Sequence, residues 1–595
     1  MTGSIDLSEE EERSLWSRFG WGHIARLCRR KTRKVDPEAA NGRNRKDSHR
    51  RVNRPPSAQY STFGELLRTS TPSGLQCALF CGGSRCKYEL PSKRSSAIQG
   101  LYSDWVTVDI LAMARPSTTS IAARNIIQQF HSWGVRTVIN LQMPGEHASC
   151  GPPLTKSGFT YDPVIFMAND IYYYNFGWPD YGEASLCGLL DMAKVLSFAL
   201  QEGRVAIHCH AGLGRTGVLI ACYLVYSLRI RANDAIRLVR KKRPKSIQTS
   251  GQILCVQQFE HYILPQTLVF SSKEPLMLTK DTKTCEFTLR QYLHRQRATL
   301  HGLDERVFRE LPKIVFCICE RLLKLCGCQD SGGLDYRVKN RAFYKMFLSY
   351  KLKQGKPPDL TTPDEVINGD KPPALPMIEW RDPVEEDVER NLESVSRYTS
   401  SSNIPAIQVY EAFLSDHQNL PQEKQKYIKQ LRIEINQRRE AMNKIDEEED
   451  PTILSVLLFE WLEGLKQPVL DKEDLSNIVC RSSNVSSCVM ALQMEDIILV
   501  EYLLRFVVRL RPLVAHKKVD ILKRLLASLT HQTINIHGKL LPNKCFPRLR
   551  DGTGSHIINF MLRMIVEIQQ DIAKPSREES DVVLAPRRLK IKAWT

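Results

Sequence analysis

Val205-Ala206-Ile207-His208-Cys209-His210-Ala211-Gly212-Leu213-Gly214-Arg215-Thr216-Gly217-Val218-Leu219-Ile220 opens as a short buried strand, passes through a glycine-punctuated loop and enters an apolar helical period. Strand, loop and helix in that order make the layout of an anion cradle. Gly212 and Gly214 permit backbone conformations that a side chain forbids, so successive N–H groups can turn inward as a nest. The helix beginning near Arg215 adds its positive end. Arg215 follows Cys209 by six residues, so a loop curled around one phosphate-sized anion presents its guanidinium as a fork to two oxygens. The backbone of His210, Ala211, Gly212, Leu213 and Gly214 is expected to surround that anion. Cys209 sits at the mouth, where amides, helix end and Arg215 all favour negative charge. Its thiol, with an ordinary pKa of about 8.5, is expected to act as a thiolate nucleophile at neutral pH. Thr216 is expected to donate to that sulfur, and His208 to hold the loop through hydrogen bonds.

Outward from this stretch, residues 110–114, 137–141 and 205–208 read as short buried strands, and residues 121–133 and 186–200 as helices. Strands alternating with helices predict an α/β domain with a central, mostly parallel sheet flanked by helices and a ligand site at the strand carboxyl ends. After Leu264 the pattern becomes helical, clearest over 315–325, 453–465, 497–510 and 556–568. The expected organisation is a basic arm over 1–56, the α/β domain with an N-terminal extension over 57–268 (core about 102–264), a helical segment over 269–352, a Pro-rich linker over 353–383, a helical bundle over 384–572 and a tail over 573–595. Ser8 with Glu11 suggests a capped short helix over 7–18 within the arm.

The 595 residues carry a formal net charge of +18, with 42% hydrophobic and 25% charged residues. That is globular composition and excludes collagen-like, coiled-coil-only and wholly disordered readings. Residues 26–54 hold twelve basic and three acidic side chains, so half the excess lies in one apolar-poor stretch read as a solvated or targeting arm. No aromatic interleaving points to nucleic acid. No apolar run reaches a membrane-spanning length, and the start carries neither a myristoylation nor a secretory signal. Seventeen cysteines without regular dense spacing read as reduced thiols of an intracellular, cytoplasmic protein.

His208-Cys209-x5-Arg215-Thr216-Gly217 resembles the signature of the cysteine-dependent protein tyrosine phosphatase superfamily. The resemblance implies a cysteinyl-phosphate intermediate and a general acid on an upstream loop. Trp178-Pro179-Asp180 matches that loop, and Asp180 precedes Cys209 by 29 residues. Asp180 is therefore the expected acid, with Trp178 and Pro179 as hinge and anchor and with loop closure raising its pKa; Asp170 is the alternative. Gln248 and Gln252 resemble the family's glutamine loop, the first orienting the hydrolytic water. His210 and Leu213 stand where phosphoinositide-directed relatives usually carry lysine, which implies a phosphoprotein substrate. The sequence lacks the phosphotyrosine-recognition loop that deepens the pocket in tyrosine-only members of the family, which implies a dual-specificity type acting on phosphotyrosine and on phosphoserine or phosphothreonine. The branch it resembles lies nearest the phosphatases related to the mitotic-exit phosphatase and is associated with centrosomes and cilia. No cofactor is assigned.

Other features are weaker. Glu146 and His147 follow a Pro-Gly turn that can reach the active-site rim. The basic run 240–243 is expected to rim the pocket and attract acidic phosphopeptides. Cys77, Cys81 and Cys86 with Cys150 are a candidate metal site, but their spacings fit no standard zinc pattern, and no metal is assigned. Cys317, Cys319, Cys326 and Cys328 read as core thiols. Residues 450–470 loosely resemble a helix and Pro-turn of Rho GTPase-activating domains, but the upstream loop that carries an arginine finger is missing between Ser402 and Asp450. The expected role of this all-α region is therefore to bind a protein partner. The alternative to an enzyme is a phosphopeptide-binding scaffold.

Overall fold

β2 (Ile110–Met113) and β5 (Arg204–His208) are buried along nearly their whole length because each lies between two neighbours, as β-branched and apolar runs of this length require. With β1 (Ser103–Trp105), β3 (Val135–Asn140) and β4 (Tyr172–Asn175) they form one sheet in the order β1-β2-β5-β3-β4. All neighbours are parallel except β1, which pairs antiparallel with β2. His208 stands opposite Met113 on one side and Asn140 on the other, so the loop that follows it leaves the carboxyl edge at the centre of the sheet. The computed structural model describes residues 55–71, 73–89, 96–180, 184–271, 287–328, 343, 404–437, 439–481 and 484–573. The helix expected over 7–18 and the linker expected over 353–383 lie outside them, as do nearly all of the basic arm and of the tail.

The three expected strands are β2, β3 and β5. β1 and β4 escaped the sequence reading: β1 has three residues, and the Tyr-Tyr-Tyr-Asn of β4 has no fully buried position to create an alternation. Side chains of β5 divide by parity. Val205 and Ile207 face α1 (Leu186–Glu202), α2 (Arg215–Leu228) and α3 (Ser250–Gln266), whereas Ala206 faces a second layer built around Phe130, Tyr161 and Phe166. α2 is buried on nearly every face from Arg215 to Val225, which explains its lack of an amphipathic stripe. The helix expected over 121–133 is broken by Asn125, which takes a left-handed φ of 48° between Thr118–Ala123 and Ile126–Trp133.

Beyond Phe270, the helices α4 (Leu289–Thr299), α5 (Lys313–Leu325), α6 (Ala406–Leu414), α7 (Pro451–Glu463), α8 (Met494–Arg509), α9 (Ala515–Thr530) and α10 (Asp551–Ala573) contribute to one continuous buried cluster. Pro451 begins α7 at a position that needs no N–H, and Asp450 caps it by accepting from the Thr452 amide. The region is not purely α: Ile534–Ile536 and Lys539–Leu541 pair as a small hairpin. Its three-residue strands fall below what a sequence pattern can signal. No described helix is long and apolar enough to cross a membrane.

Candidate active site

The loop after β5 is held open by its outer face. Gly212 has a φ of 64°, and a Cβ there would lie 1.9 Å from the Met113 carbonyl oxygen, so only glycine lets the loop press against the end of β2. Arg243 is fully buried beneath the loop and donates to the carbonyls of Ala211 (3.0 Å) and Gly212, while its Nη1 pairs with Asp104 at 2.9 Å. The Arg115 amide takes the His210 carbonyl at 2.9 Å, and the Ile247 amide takes that of Leu213 at 3.1 Å. With these carbonyls claimed from behind, the loop amides are left to face the concavity. Gly214 then leads into the first turn of α2.

His208 is buried, its Nδ1 donating to the Cys209 carbonyl at 3.0 Å and its Nε2 accepting from the Tyr161 hydroxyl at 2.7 Å. Burial pushes its imidazole down to about 4, so it is neutral and holds the loop. Cys209 is 4% exposed at the start of this loop. Thr216 is completely buried, and its hydroxyl has no hydrogen-bond partner, Cys209 included.

Arg215 spends one nitrogen and keeps two. Nη1 donates to the carbonyls of Trp178 (2.7 Å) and Leu141 (3.0 Å) and pairs with the Glu146 carboxylate at 2.8 Å. Nε and Nη2, the two nitrogens along one edge of the guanidinium, are buried and hydrogen-bond to nothing. Unpaired donors of this kind cost free energy unless a ligand meets them. A phosphoryl group that takes both in bidentate fashion fits this edge. Three anchors on Nη1 fix the aim of that edge.

Asp180 reaches the same place. Its Oδ1 lies 3.5 Å from Arg215 Nε, and its Oδ2 lies 3.2 Å from His147 Nε2. Trp178 is buried and supplies the carbonyl on Arg215, while Pro179 is exposed. Asp170 is exposed at a left-handed turn before β4 and takes no part. The expected upward shift of the acid is not found: burial does push the Asp180 carboxyl up, but the Arg215 charge and the His147 hydrogen bond outweigh it and hold it at about 2.

Residues 172–261 match the family model described as dual specificity phosphatase, catalytic domain. The chain carries a protein tyrosine phosphatase domain of the dual-specificity type. It is 55% identical over 276 residues to the zebrafish (Danio rerio) protein tyrosine phosphatase domain-containing protein 1, covering 46% of this chain and 38% of the relative. The cattle (Bos taurus) protein of the same name is 54% identical over 274 residues, covering 45% and 34%. The dual specificity protein phosphatase CDC14C of Symphalangus syndactylus is 36% identical over 118 residues, covering 20% and 21%. The matched part of this chain spans little more than a third of the first of these relatives.

Around the phosphatase loop, the glutamine segment divides its work. Gln252 lies against Gly214, where a Cβ would come 2.7 Å from its Nε2, and its Oε1 accepts from the Gln248 amide at 2.7 Å. Gln248 is half-buried at the start of that segment. The basic run does not rim the pocket as a unit. Arg243 is the buried brace described above, and Arg240 turns back to the carbonyls of Ser246 (3.0 Å) and Ile247. Only Lys241 and Lys242 are exposed, because a helical period sends neighbouring residues to different faces.

Two residues missed by the sequence reading matter as much as those it found. Arg115, a lone arginine at the end of β2, donates to the carbonyls of Cys150 (2.6 Å) and His147 (3.2 Å) and to Glu89 (2.9 Å). It ties the N-terminal extension to the segment that carries Glu146 and His147. Tyr161, whose hydroxyl orients His208, gave no motif signal at all. Behind His210, Cys77, Cys81, Cys86 and Cys150 gather with Tyr88. His210 stacks on His147 at 4.0 Å, and although burial opposes its charge, contacts with the Cys81 and Cys86 thiols carry it up to about 9.

Proposed function

We propose that this chain is a protein phosphatase that hydrolyses phosphotyrosine, and phosphoserine or phosphothreonine, through a cysteinyl-phosphate on Cys209. The observation that carries this reading is the Nε–Nη2 edge of Arg215, which is buried, makes no hydrogen bond, and is aimed by three hydrogen-bond acceptors on Nη1. A phosphate monoester seated on that edge and on the amides of His210 to Gly214 puts phosphorus in front of the Cys209 sulfur. The sulfur attacks phosphorus, an S–P bond forms, and the O–P bond to the leaving alcohol or phenol breaks as Asp180 gives that oxygen its proton. Water held by Gln248, with Gln252 behind it, then attacks phosphorus. The S–P bond breaks, the water proton returns to Asp180, and the sulfur leaves as a thiolate.

Asp180 is ionised while Arg215 and His147 hold it. Phosphate oxygens on Arg215 would cancel that pull and add negative charge beside the carboxyl, so substrate binding itself raises the acid toward its protonated form. Replacing Cys209 by Ser in the full chain tests the reading, with an aryl phosphate as substrate. Loss of turnover with phosphate binding kept supports it, and equal turnover would exclude it. A wild-type chain that binds phosphopeptide without releasing phosphate would favour a scaffold instead.

The helical half is assigned a partner-binding role, because no aromatic-Arg-x-Ser-Gly loop lies between Ser402 and Asp450 to supply an arginine finger. A role in cilium formation or maintenance, with localisation at the centrosome or cilium base, rests on the sequence resemblance alone. Imaging of the tagged chain in ciliated cells tests it, and exclusion from that structure would refute it.

A further inference from the structure

We propose that Cys77, Cys81, Cys86 and Cys150 bind one zinc ion that pins the N-terminal extension to the wall of the phosphatase cradle. All four thiols are free, and Cys77, Cys86 and Cys150 are 1%, 1% and 0% exposed. Cys77, Cys86 and Cys150 pack in one buried cluster with Cys81 against it, and the Cys81 and Cys150 sulfurs lie within 4.8 Å of each other. The buried members of this small cluster are all cysteines, with only Cys81 and Tyr88 at its edge. An apolar core has no need of that composition, whereas four sulfurs around one point are what a closed tetrahedral zinc site requires.

The backbone is shaped accordingly. Gly82, with a φ of 100°, reverses the chain after Cys81 and returns its amide to the Cys77 carbonyl at 3.0 Å, and the Gly151 amide reaches the Gly83 carbonyl at 3.1 Å. Arg115 fixes Cys150 through its carbonyl. Two histidines approach from the cradle side: His147 Nδ1 lies 3.4 Å from Cys77 Sγ, and His210 Nε2 lies 3.5 Å from Cys86 Sγ. The ligand atoms of Cys81, His147, Cys150 and His210 also lie within 4.8 Å of one another. Four thiolates are nevertheless the better set. The cysteines form one buried cluster of their own, while the second nitrogen of His147 is engaged by Asp180. The histidines then serve as N–H donors to bound sulfur, as partners of metal ligands commonly do.

On binding, each thiol loses its proton to solvent as its sulfur bonds zinc at about 2.3 Å, which sets sulfur–sulfur separations of about 3.8 Å. The consequence reaches the chemistry, since His210 directly follows Cys209 and His147 holds Asp180.

The test is metal analysis of the full chain purified without added metal. About one zinc per chain is expected, falling severalfold in Cys150→Ser and in Cys86→Ser and unchanged in Cys187→Ser, whose thiol is exposed elsewhere. Cobalt exchanged into the wild type should give the strong thiolate charge-transfer absorption of a tetrahedral four-sulfur site, unaltered in form by His147→Gln or His210→Gln. A wild-type chain without stoichiometric metal would overturn the proposal, even if the serine variants fail to fold. So would metal that survives both serine variants, or a cobalt spectrum that loses a nitrogen ligand in either histidine variant. Cys209→Ser should keep its zinc while losing hydrolysis, so the two readings fail separately.

Discussion

Cys209 and the four thiols behind His210 are both buried sulfur sites, built in opposite ways. Cys209 gains its surroundings from residues that follow it in the chain, through Arg215 and Thr216, with Gly212 and Gly214 bending the loop between. The thiol cluster takes three members from residues 77–86 and the fourth from Cys150, with β1, β2 and β3 of the sheet between them in the chain. The first leaves a donor edge without hydrogen bonds; the second gathers its thiols in one cluster beside two imidazoles. Local sequence is enough to specify an anion site, because a strand, a loop and a helix end supply its parts. A site gathered by tertiary folding needs the sheet to exist first.

Substitutions can break this contrast, beginning with the largest expected effect. Cys209→Ser should lower aryl phosphate turnover by at least about 10⁴-fold, read by phosphate release, with secondary structure unchanged by circular dichroism. Arg215→Lys keeps the charge but loses the two-nitrogen edge and the three Nη1 anchors, so kcat/KM should fall by about 10³-fold. Asp180→Ala should cost about 10²-fold with a poor leaving group such as an alkyl phosphate and far less with a nitrophenyl phosphate, because only the former needs the proton.

His147→Gln sharpens the link between the two regions. The Asp180 carboxyl is held at about 2 partly by His147, so removing that hydrogen bond lets burial push it upward. Protonated Asp180 then persists to higher pH, and the falling limb of the kcat/KM profile should move upward by about one pH unit. A limb that stays put or moves down would mean that His147 does not control the acid. Tyr161→Phe should have the smallest effect, removing one buried hydrogen bond to neutral His208 and costing about 1 kcal/mol in a denaturant titration.

How much was legible follows the same division. Residues 205–220 were legible as strand, turn and helix together, and Trp178-Pro179-Asp180 stood out as a candidate acid loop, because each is contiguous and chemically unusual. Glu146 and His147 were legible as residues after a Pro-Gly turn that can reach the rim, but not their partners, Arg215 and Asp180. Arg243 was misplaced at the rim because composition cannot tell which face of a basic run is buried; it braces the loop carbonyls from below. Arg115 and Tyr161 carried no pattern, since their partners lie on β-strand ends and loops far away in sequence. The sheet core was read from its buried strands, whereas β1 and β4 lacked both the length and the burial that produce a signal.

The central claim is that Cys209 carries the phosphoryl group. Rapid acid quench of the full chain during turnover of an aryl phosphate, followed by peptide mass spectrometry, tests it most directly. A phosphoryl group on the Cys209 peptide, absent in Cys209→Ser and accumulating when Gln248 is replaced by Ala, is the predicted result. Continued phosphate release with no label on Cys209, or with the label on another residue, would contradict it.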